Sequence, residues 1–581
     1  MKISKITIKG FRNFKDATIN LAQQALIIGP NDIGKTNFIR AFRLLLDPGL
    51  SYQDLKPDDS DFYVHEQTDA IEITLKLIDV TEDCLVAKLG KYCSDTHEVF
   101  LRYEGFRGNN DEPFRISASP DGTNFTPISR PDYLRVLNLR YIDSNRDLFD
   151  YIRREKKNLL EDAKTLRTDQ AVVDADDTKQ AELKNKLGEI NSLVKELSYI
   201  QNSTDHLNTE LEKLAYHHHG NKVVFEVVEA EAKDFIENIK LANSVNDNQL
   251  SIGGAGRNNQ IYFALWATKN KIQEDFDKEV TIYCIEEPEA HLHPHQQRKL
   301  ASYFVNNTSS QLFISSHSPQ IASEFSPDSI VKLYNNKPDT KAASDGCGQN
   351  IGGAVIDFAH RMNILPAEAF FCSAVLLVEG VSEVMFYKAL GSQIGIDLDF
   401  YNISVLSVEG IGFEAYIKLF NSLNIPWVIR TDLDVIKKNN GNQYARGISV
   451  GKNIYNANGV EVEEIKNQID SAFQTVNDID NPDDPTVETA INGFRDAFCK
   501  IDFYLANKDL ESDLVNSPLK QAIENHYGTG KTDDQYVKLM SAKKGVNMFG
   551  FLSAKSGELN ALETEKVVEP LKRCKEIVEA Q

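Results

Sequence analysis

The stretch "ALIIGPNDIGKTNFIRAF", residues 25–42, constrains the fold more than any other. Four apolar residues form a buried strand, a glycine-bounded loop follows, and an amphipathic helix begins at the Lys-Thr pair. The loop matches G-x-x-x-x-G-K-[ST] through Gly29, Gly34, Lys35 and Thr36. Its glycines let backbone N–H groups turn inward on phosphate oxygens, and the helix N-terminus adds its partial positive charge. Lys35 supplies a point charge to the β/γ-phosphates, and the Thr36 hydroxyl can ligate Mg²⁺. Asn31 and Asn37 belong to the same loop and first turn.

Two more apolar strands end in polar groups suited to this loop. "TIYCIEEPEAHLHP" ends in Glu286, placed to hold Mg²⁺, and Glu287, placed to polarise an attacking water. "QLFISSHSP" ends in His317, placed to sense a γ-phosphate. "LSIGGAGRNNQ", with Ser251 and Gly253, opens a helix between the loop and these strands in sequence. The order resembles that of ABC-type ATPases of the SMC and RecF kind. The resemblance makes His317 a switch histidine and Ser251 to Arg257 a signature region that completes the nucleotide site of a second copy. Glu286 stands where many relatives have Asp, and the signature departs from their usual "LSGGQ".

The second half carries a different pattern. "AVLLVEGVSE" delivers Glu379 at a strand end and Glu383 on the following helix, and "IPWVIRTDLD" delivers Asp432 and Asp434 in the same way. Strands ending at one edge of a parallel sheet bring such residues together. Clustered carboxylates are stable chiefly around a hard cation, which suits Mg²⁺ or Mn²⁺.

The E-G … D-x-D pattern resembles the Toprim domain of topoisomerases, primases and certain nucleases. After an ABC-type ATPase, it is similar to the OLD (overcoming lysogenization defect) family of ATP-linked nucleases, over nearly the whole chain. By that resemblance "DLESDL" adds Glu511 and Asp513, and "AKKGVNMF" adds Lys544 as the catalytic lysine. The expected chemistry is a phosphodiesterase with two ions, one on Glu379, Asp432 and Asp434, the other shared with Glu383, Glu511 and Asp513. Within the family, the length and architecture are similar to the large subunit of Gabija anti-phage systems. This implies DNA as substrate, self-association as a dimer or homotetramer, a UvrD-like helicase partner, and ATP as both ligand and restraint. OLD nucleases also act as retron effectors beside a reverse transcriptase and its reverse-transcribed DNA. A RecF-like DNA-binding ATPase without nuclease activity is the alternative of another class; it would not need the acidic cluster.

The expected fold is α/β: an ABC/SMC-like ATPase domain with a helical dimerisation insertion, then a Toprim domain with a Rossmann-like parallel sheet. The ATPase is expected over 1–147 and 246–345, the insertion over 148–245, and the Toprim domain with a helical C-terminal part over 346–581. Residues 335–353 read as a linker. The insertion rests on a charged, Leu-spaced pattern with no proline between 132 and 287. A net charge of −22 argues against a bulk nucleic-acid coat, so any DNA channel is expected to be local. Seven cysteines without a CxxC pair suit neither a zinc site nor a disulfide framework, and fit a reducing cytoplasm. "YHHHG" (217–219) is not expected to hold a metal, because consecutive histidines diverge on a helix. "RREKK" (153–157) is read as a solvated helix face; "FRNF" (11–14) resembles the start of RecF-like ATPases, which packs near the nucleotide, and its aromatics are read as structural.

Overall fold

The computed structural model describes residues 1–109, 111–143, 160, 161, 163–202, 205, 243–245, 248–250, 259, 261–263, 278–347, 367–409, 412–438, 442–458, 463–479 and 484–581. The chain forms two compact units. One comprises Met1–Ser144, Phe276–Glu289 and His293–Gln581; the other comprises Asn145–Asp275 with Ala290–Leu292.

Eight strands lead the first unit: β1 (Lys2–Phe11), β2 (Phe14–Asn20), β3 (Gln24–Ile28), β4 (Ala70–Ile78), β5 (Val99–Phe106), β6 (Phe114–Ser119), β7 (Thr126–Pro127) and β8 (Leu137–Ile142). Six of them form an antiparallel sheet in the order β2-β1-β4-β5-β6-β7. The alternation in "AIEITLKLI" is why β4 belongs here. Ile71, Ile73, Leu75 and Leu77 are buried on one face, and the residues between them are more exposed. That face packs on the helix Lys35–Leu46, whose Phe38, Ile39, Phe42 and Leu45 join the same core.

In the second unit a 27-residue helix spans Gln170–Glu196, started by the Asp169 side chain, which accepts from Ala171 N–H at 2.9 Å. A short hairpin pairs β9 (Asn243–Val245) with β10 (Asn248–Leu250).

Back in the first unit, β11 (Val280–Glu286), β12 (Leu312–Ser315), β13 (Ile330–Asn336) and β14 (Asp339–Ala342) complete a second sheet, ordered β14-β13-β3-β12-β11-β8. All neighbours are parallel except the edge pair β13–β14. Buried on both faces, these strands read as continuous apolar runs rather than alternations. The edge strand corrects one expectation. Residues 335–353 do not read as linker throughout, because Asp339–Ala342 pairs with β13 and Cys347 is buried. Thr340 and Ala342 alternate inward, and Thr340 N–H donates to Asn13 O at 3.0 Å.

The last sheet holds β15 (Ala374–Val378), β16 (Ile403–Ser407), β17 (Trp427–Thr431) and β20 (Phe503–Leu505), ordered β16-β15-β17-β20 and wholly parallel. Between β17 and β20 a hairpin of β18 (Val435–Lys437) and β19 (Gln443–Ala445) stands apart. All five residues of β15 are fully buried, each large side chain worth about 1.5–3 kcal/mol. The chain runs from β15 to β16 on one side, then crosses to β17 on the other. The sheet therefore has its switch point between β15 and β17, where ligand crevices form.

Candidate functional sites: a phosphate loop and a carboxylate centre

In the second sheet β3 lies beside β12, and β12 beside β11, so the ends of these three strands share one edge. The phosphate loop leaves β3 there. Gly34 has φ +98°, and a Cβ on it would lie 2.2 Å from the Asn13 side chain, so glycine is required on both counts. Lys35 is buried and curls over its own loop, donating to Gly29 O at 3.0 Å and Pro30 O at 2.7 Å. Burial pushes this ammonium down to about 8, against the pull of Glu287, Asp32 and Glu286. An ammonium resting on loop carbonyls, beside a glycine cradle with no room for a side chain, fits a polyphosphate.

Glu286 ends β11 and meets Thr36, whose hydroxyl donates to Oε2 at 3.1 Å; the Tyr141 hydroxyl donates to Oε1 at the same distance. Burial raises the carboxyl of Glu286. Glu287 takes a positive φ of 45°, and its Oε1 lies 3.7 Å from His317 Nε2. Burial and Lys35 hold His317 below its ordinary range. The structure thus brings together Lys35, Thr36, Glu286, Glu287 and His317, with Asn31 exposed on the loop. Asn37 donates to Asn13 Oδ1 at 2.7 Å and accepts from Arg12 at 2.8 Å. Ser251 and Gly253, His217–His219 and Arg153–Lys157 lie outside the described residues.

Three residues at this edge escape a motif search. Phe11 and Phe14 of "FRNF" are fully buried, but Asn13 between them donates to Ile33 O at 2.8 Å and Thr340 Oγ1 at 2.7 Å, clamping the loop from behind. Arg12 pairs with Asp61 at 2.8 Å. Glu289 accepts from His317 N–H at 2.7 Å and Ser316 Oγ at 2.9 Å, while its Oε2 is buried without a hydrogen bond.

The carboxylate centre stands at the corresponding edge of the last sheet. Glu379 follows β15; its Oε1 accepts from the Thr431 hydroxyl and from Asp432 N–H at 3.0 Å. Asp432 follows β17 and is buried, whereas Asp434 is partly exposed at φ 44° and pairs with Arg446 at 3.5 Å. The short helix Leu510–Val515 follows β20 and brings Glu511, 1% exposed, and Asp513. Glu383 is buried on the first turn of the helix Val381–Gln393. Lys544 opens the helix Lys544–Lys555, its Nζ 3.6 Å from Asp432 Oδ2 and 3.5 Å from Glu511 Oε2. All seven residues named from the sequence therefore surround one edge.

Sequence reasoning passed over the group at its middle. Arg430 is 2% exposed and reaches Glu383, Asp432 and Asp513. Its signal was present, as a charged residue inside the apolar strand "PWVIRT". Burial weakens the charge on this guanidinium, yet its acidic surroundings outweigh burial and hold it above its ordinary range. Burial pushes Asp432 up to about 8, with Arg430 opposing and Glu383 and Glu379 adding to the rise. Burial also raises Glu383 and Asp434. Burial lowers Lys544, but Glu511 and Asp432 outweigh it and raise it overall.

Among the described residues no three potential ligands yet stand close enough to share an ion. Arg430 and Lys544 lie between the acids. Glu511 nevertheless fits a cation: both its oxygens are buried without a hydrogen bond, and the Lys544 ammonium lies 3.5 Å from one of them. An anion so placed is costly unless a positive charge reaches it.

A family model described as the AAA ATPase domain matches residues 1–128 and 135–322, more than half of the chain. A second, the TOPRIM domain of overcoming lysogenization defect protein-like proteins, matches residues 370–434. Among curated proteins, endonuclease GajA of Bacillus cereus (strain VD045) is 26% identical over 459 residues, covering 75% of this chain and 76% of that protein. The OLD nuclease of Thermus scotoductus (strain ATCC 700910 / SA-01) is 23% identical over 476 residues, covering 74% and 82%. Among solved structures, an SMC head bound to the C-winged helix domain of ScpA aligns with a TM-score of 0.34 at 14% identity, over 59% of this chain and 97% of that one. The chain belongs to the AAA ATPase domain family and joins that domain to a Toprim domain of the OLD type.

Proposed function

We propose that this chain is an ATP-regulated, divalent-metal-dependent DNA endonuclease of the OLD family, acting in anti-phage defence in the manner of a Gabija large subunit. The observation that carries the reading is the meeting of Glu379 and Asp432, from the ends of β15 and β17, with Glu511 on the helix after β20, Lys544 spanning the last two. The names of the curated relatives support the same reaction class.

Glu379, Asp432, Asp434 and Glu511 would hold Mg²⁺ or Mn²⁺. When bound, the cation supplies Lewis-acid polarisation of the scissile phosphate and an acidified water. Lys544, half exposed at a helix start, moves onto the phosphate and neutralises charge as the phosphorus becomes pentavalent. Thr431 and the Asp432 N–H fix the Glu379 carboxylate, so one ligand is set before any substrate arrives. At the other edge Lys35, Thr36 and Glu286 would hold ATP with its Mg²⁺, and His317 with Glu287 would read the γ-phosphate. Ser251 and Gly253 of a second copy would close that site, which calls for a dimer or tetramer.

The ATPase would occupy 1–147 and 246–345, the dimerising insertion 148–245 and the nuclease part 346–581. A UvrD-like helicase is the proposed partner, and the cytoplasm the proposed compartment. No helix among the described residues is long and apolar enough to cross a membrane.

Plasmid cleavage tests the reading, with Mg²⁺ or Mn²⁺, with and without ATP, on the parent, Glu379→Ala and Lys35→Ala. Cleavage lost in the Glu379 variant supports it; equal cleavage by that variant and the parent sinks it. An ATP effect seen in the parent and absent in the Lys35 variant would establish coupling of the two sites.

A further inference from the structure

Besides the exposed Arg446, which reaches Asp434 at 3.5 Å, two cationic side chains lie between the acids of the carboxylate centre, and they differ in kind. Lys544 is half exposed and approaches Asp432 and Glu511 at 3.6 and 3.5 Å. A flexible ammonium at the head of a helix can withdraw into water. Arg430 cannot. It is 2% exposed and held by three acids: Nη1 donates to Glu383 Oε1 at 2.9 Å and Asp432 Oδ1 at 3.4 Å, and Nη2 donates to Asp513 Oδ2 at 3.0 Å.

The two outer acids are also satisfied on their other oxygens. Glu383 Oε2 accepts from Gly380 N–H at 2.7 Å, and Asp513 Oδ1 accepts from Asn507 N–H at 3.2 Å. Each therefore has both oxygens on fixed donors, the opposite of Glu511, whose two oxygens have none. A guanidinium does not lose its proton in proteins, and a second cation beside it in a buried site meets undiminished repulsion. Glu511 faces the exchangeable Lys544, Asp432 is shared between Lys544 and Arg430, and Asp434 reaches the exposed Arg446, whereas Glu383 and Asp513 are held by the buried Arg430.

We propose, resting on the nuclease reading above, that this centre takes one divalent cation rather than two. Glu379, Asp432, Asp434 and Glu511 are its ligands. Arg430 occupies the seat of a second ion, and Glu383 and Asp513 are the residues that hold Arg430 there. This replaces the two-ion expectation drawn from the sequence. Arg430 is thus a positioning residue that supplies fixed charge and keeps Asp432 aimed at the ion.

The test is the Mn²⁺ stoichiometry of the full chain, by calorimetric titration and electron paramagnetic resonance, in a Lys35→Ala, Thr36→Ala background that silences the phosphate loop. One uncoupled Mn²⁺ per chain is expected. Glu511→Gln should weaken it by at least about tenfold, whereas Glu383→Gln should keep it with a smaller change in affinity. Arg430→Gln, if it folds, should admit a second ion with a spin-coupled signal. Two coupled ions in the parent, or loss of an ion with Glu383→Gln, would overturn the proposal; the Glu383 arm decides even where Arg430→Gln does not fold. Plasmid cleavage, with the phosphate loop intact, separates the two claims. One bound ion without cleavage keeps the ion count and sinks the nuclease reading; cleavage with two coupled ions does the reverse.

Discussion

The phosphate loop and the carboxylate centre are both built at the edge of a parallel sheet, yet they solve opposite charge problems. At the loop, one contiguous segment supplies nearly everything: two glycines, a lysine and a hydroxyl, with the buried Lys35 resting on the carbonyls of its own loop. At the carboxylate centre no single segment suffices. Acids from two strand ends and two helices converge, and a buried arginine from inside the sheet keeps them from repelling one another. A site for an anionic ligand can be written in one stretch because backbone N–H groups do much of the binding. A site for a cation must recruit side chains, and a sheet edge is where distant side chains meet.

The sharpest way to break the comparison is to remove one acid and the loop lysine in turn. Glu379→Ala should lower plasmid cleavage by on the order of a thousandfold, since metal-assisted stabilisation amounts to several kcal/mol. Lys35→Ala should abolish only the ATP response. Comparable losses of cleavage in both variants would mean that the two edges form a single functional site. Lys544→Ala comes next, with an expected loss of roughly a hundredfold in the cleavage rate and, with Mg²⁺ present to take over its charge beside Glu511, little change in melting temperature. A parallel fall in stability would make Lys544 a structural counter-ion instead.

The smallest effect concerns pH at the loop. Burial holds Lys35 at about 8, so raising the pH from 7 to 9 deprotonates the empty site, and nucleotide binding must take up a proton. Affinity should fall roughly tenfold over that interval, measured by titration with a non-hydrolysable ATP analogue. The stability of the nucleotide-free chain should move the other way. Between about 8 and the ordinary 10.5 the unfolded lysine binds more protons than the folded one, so stability rises with pH there. Lys35→Met should flatten both profiles. A persistent slope would assign the titration to another group.

What the sequence revealed follows the same division. The contiguous loop announced itself, as did each apolar strand ending in an acid, because burial on both faces leaves an unbroken run of Val, Leu and Ile. Arg430 was hidden by that rule, since a charge within such a run looks like an imperfection until three carboxylates are seen around it. Arg12 and Asn13 were hidden for another reason. Their neighbours Phe11 and Phe14 are core residues, and the resemblance of "FRNF" to a RecF-like start brings it near the nucleotide without saying that the polar pair turns toward the loop. The edge strand Asp339–Ala342 was lost in a polar stretch, where only Thr340 and Ala342 face inward.

Gly34 carries a consequence for how this chain can change over generations. Its positive φ, and the 2.2 Å at which an added Cβ would meet Asn13, make the two positions one genetic unit, although they stand in different elements. A mutant line carrying Gly34→Ala should yield suppressors at Asn13 that shorten the side chain. Those revertants should recover only part of the fitness, because a smaller neighbour relieves the collision and leaves the unfavourable backbone angle in place.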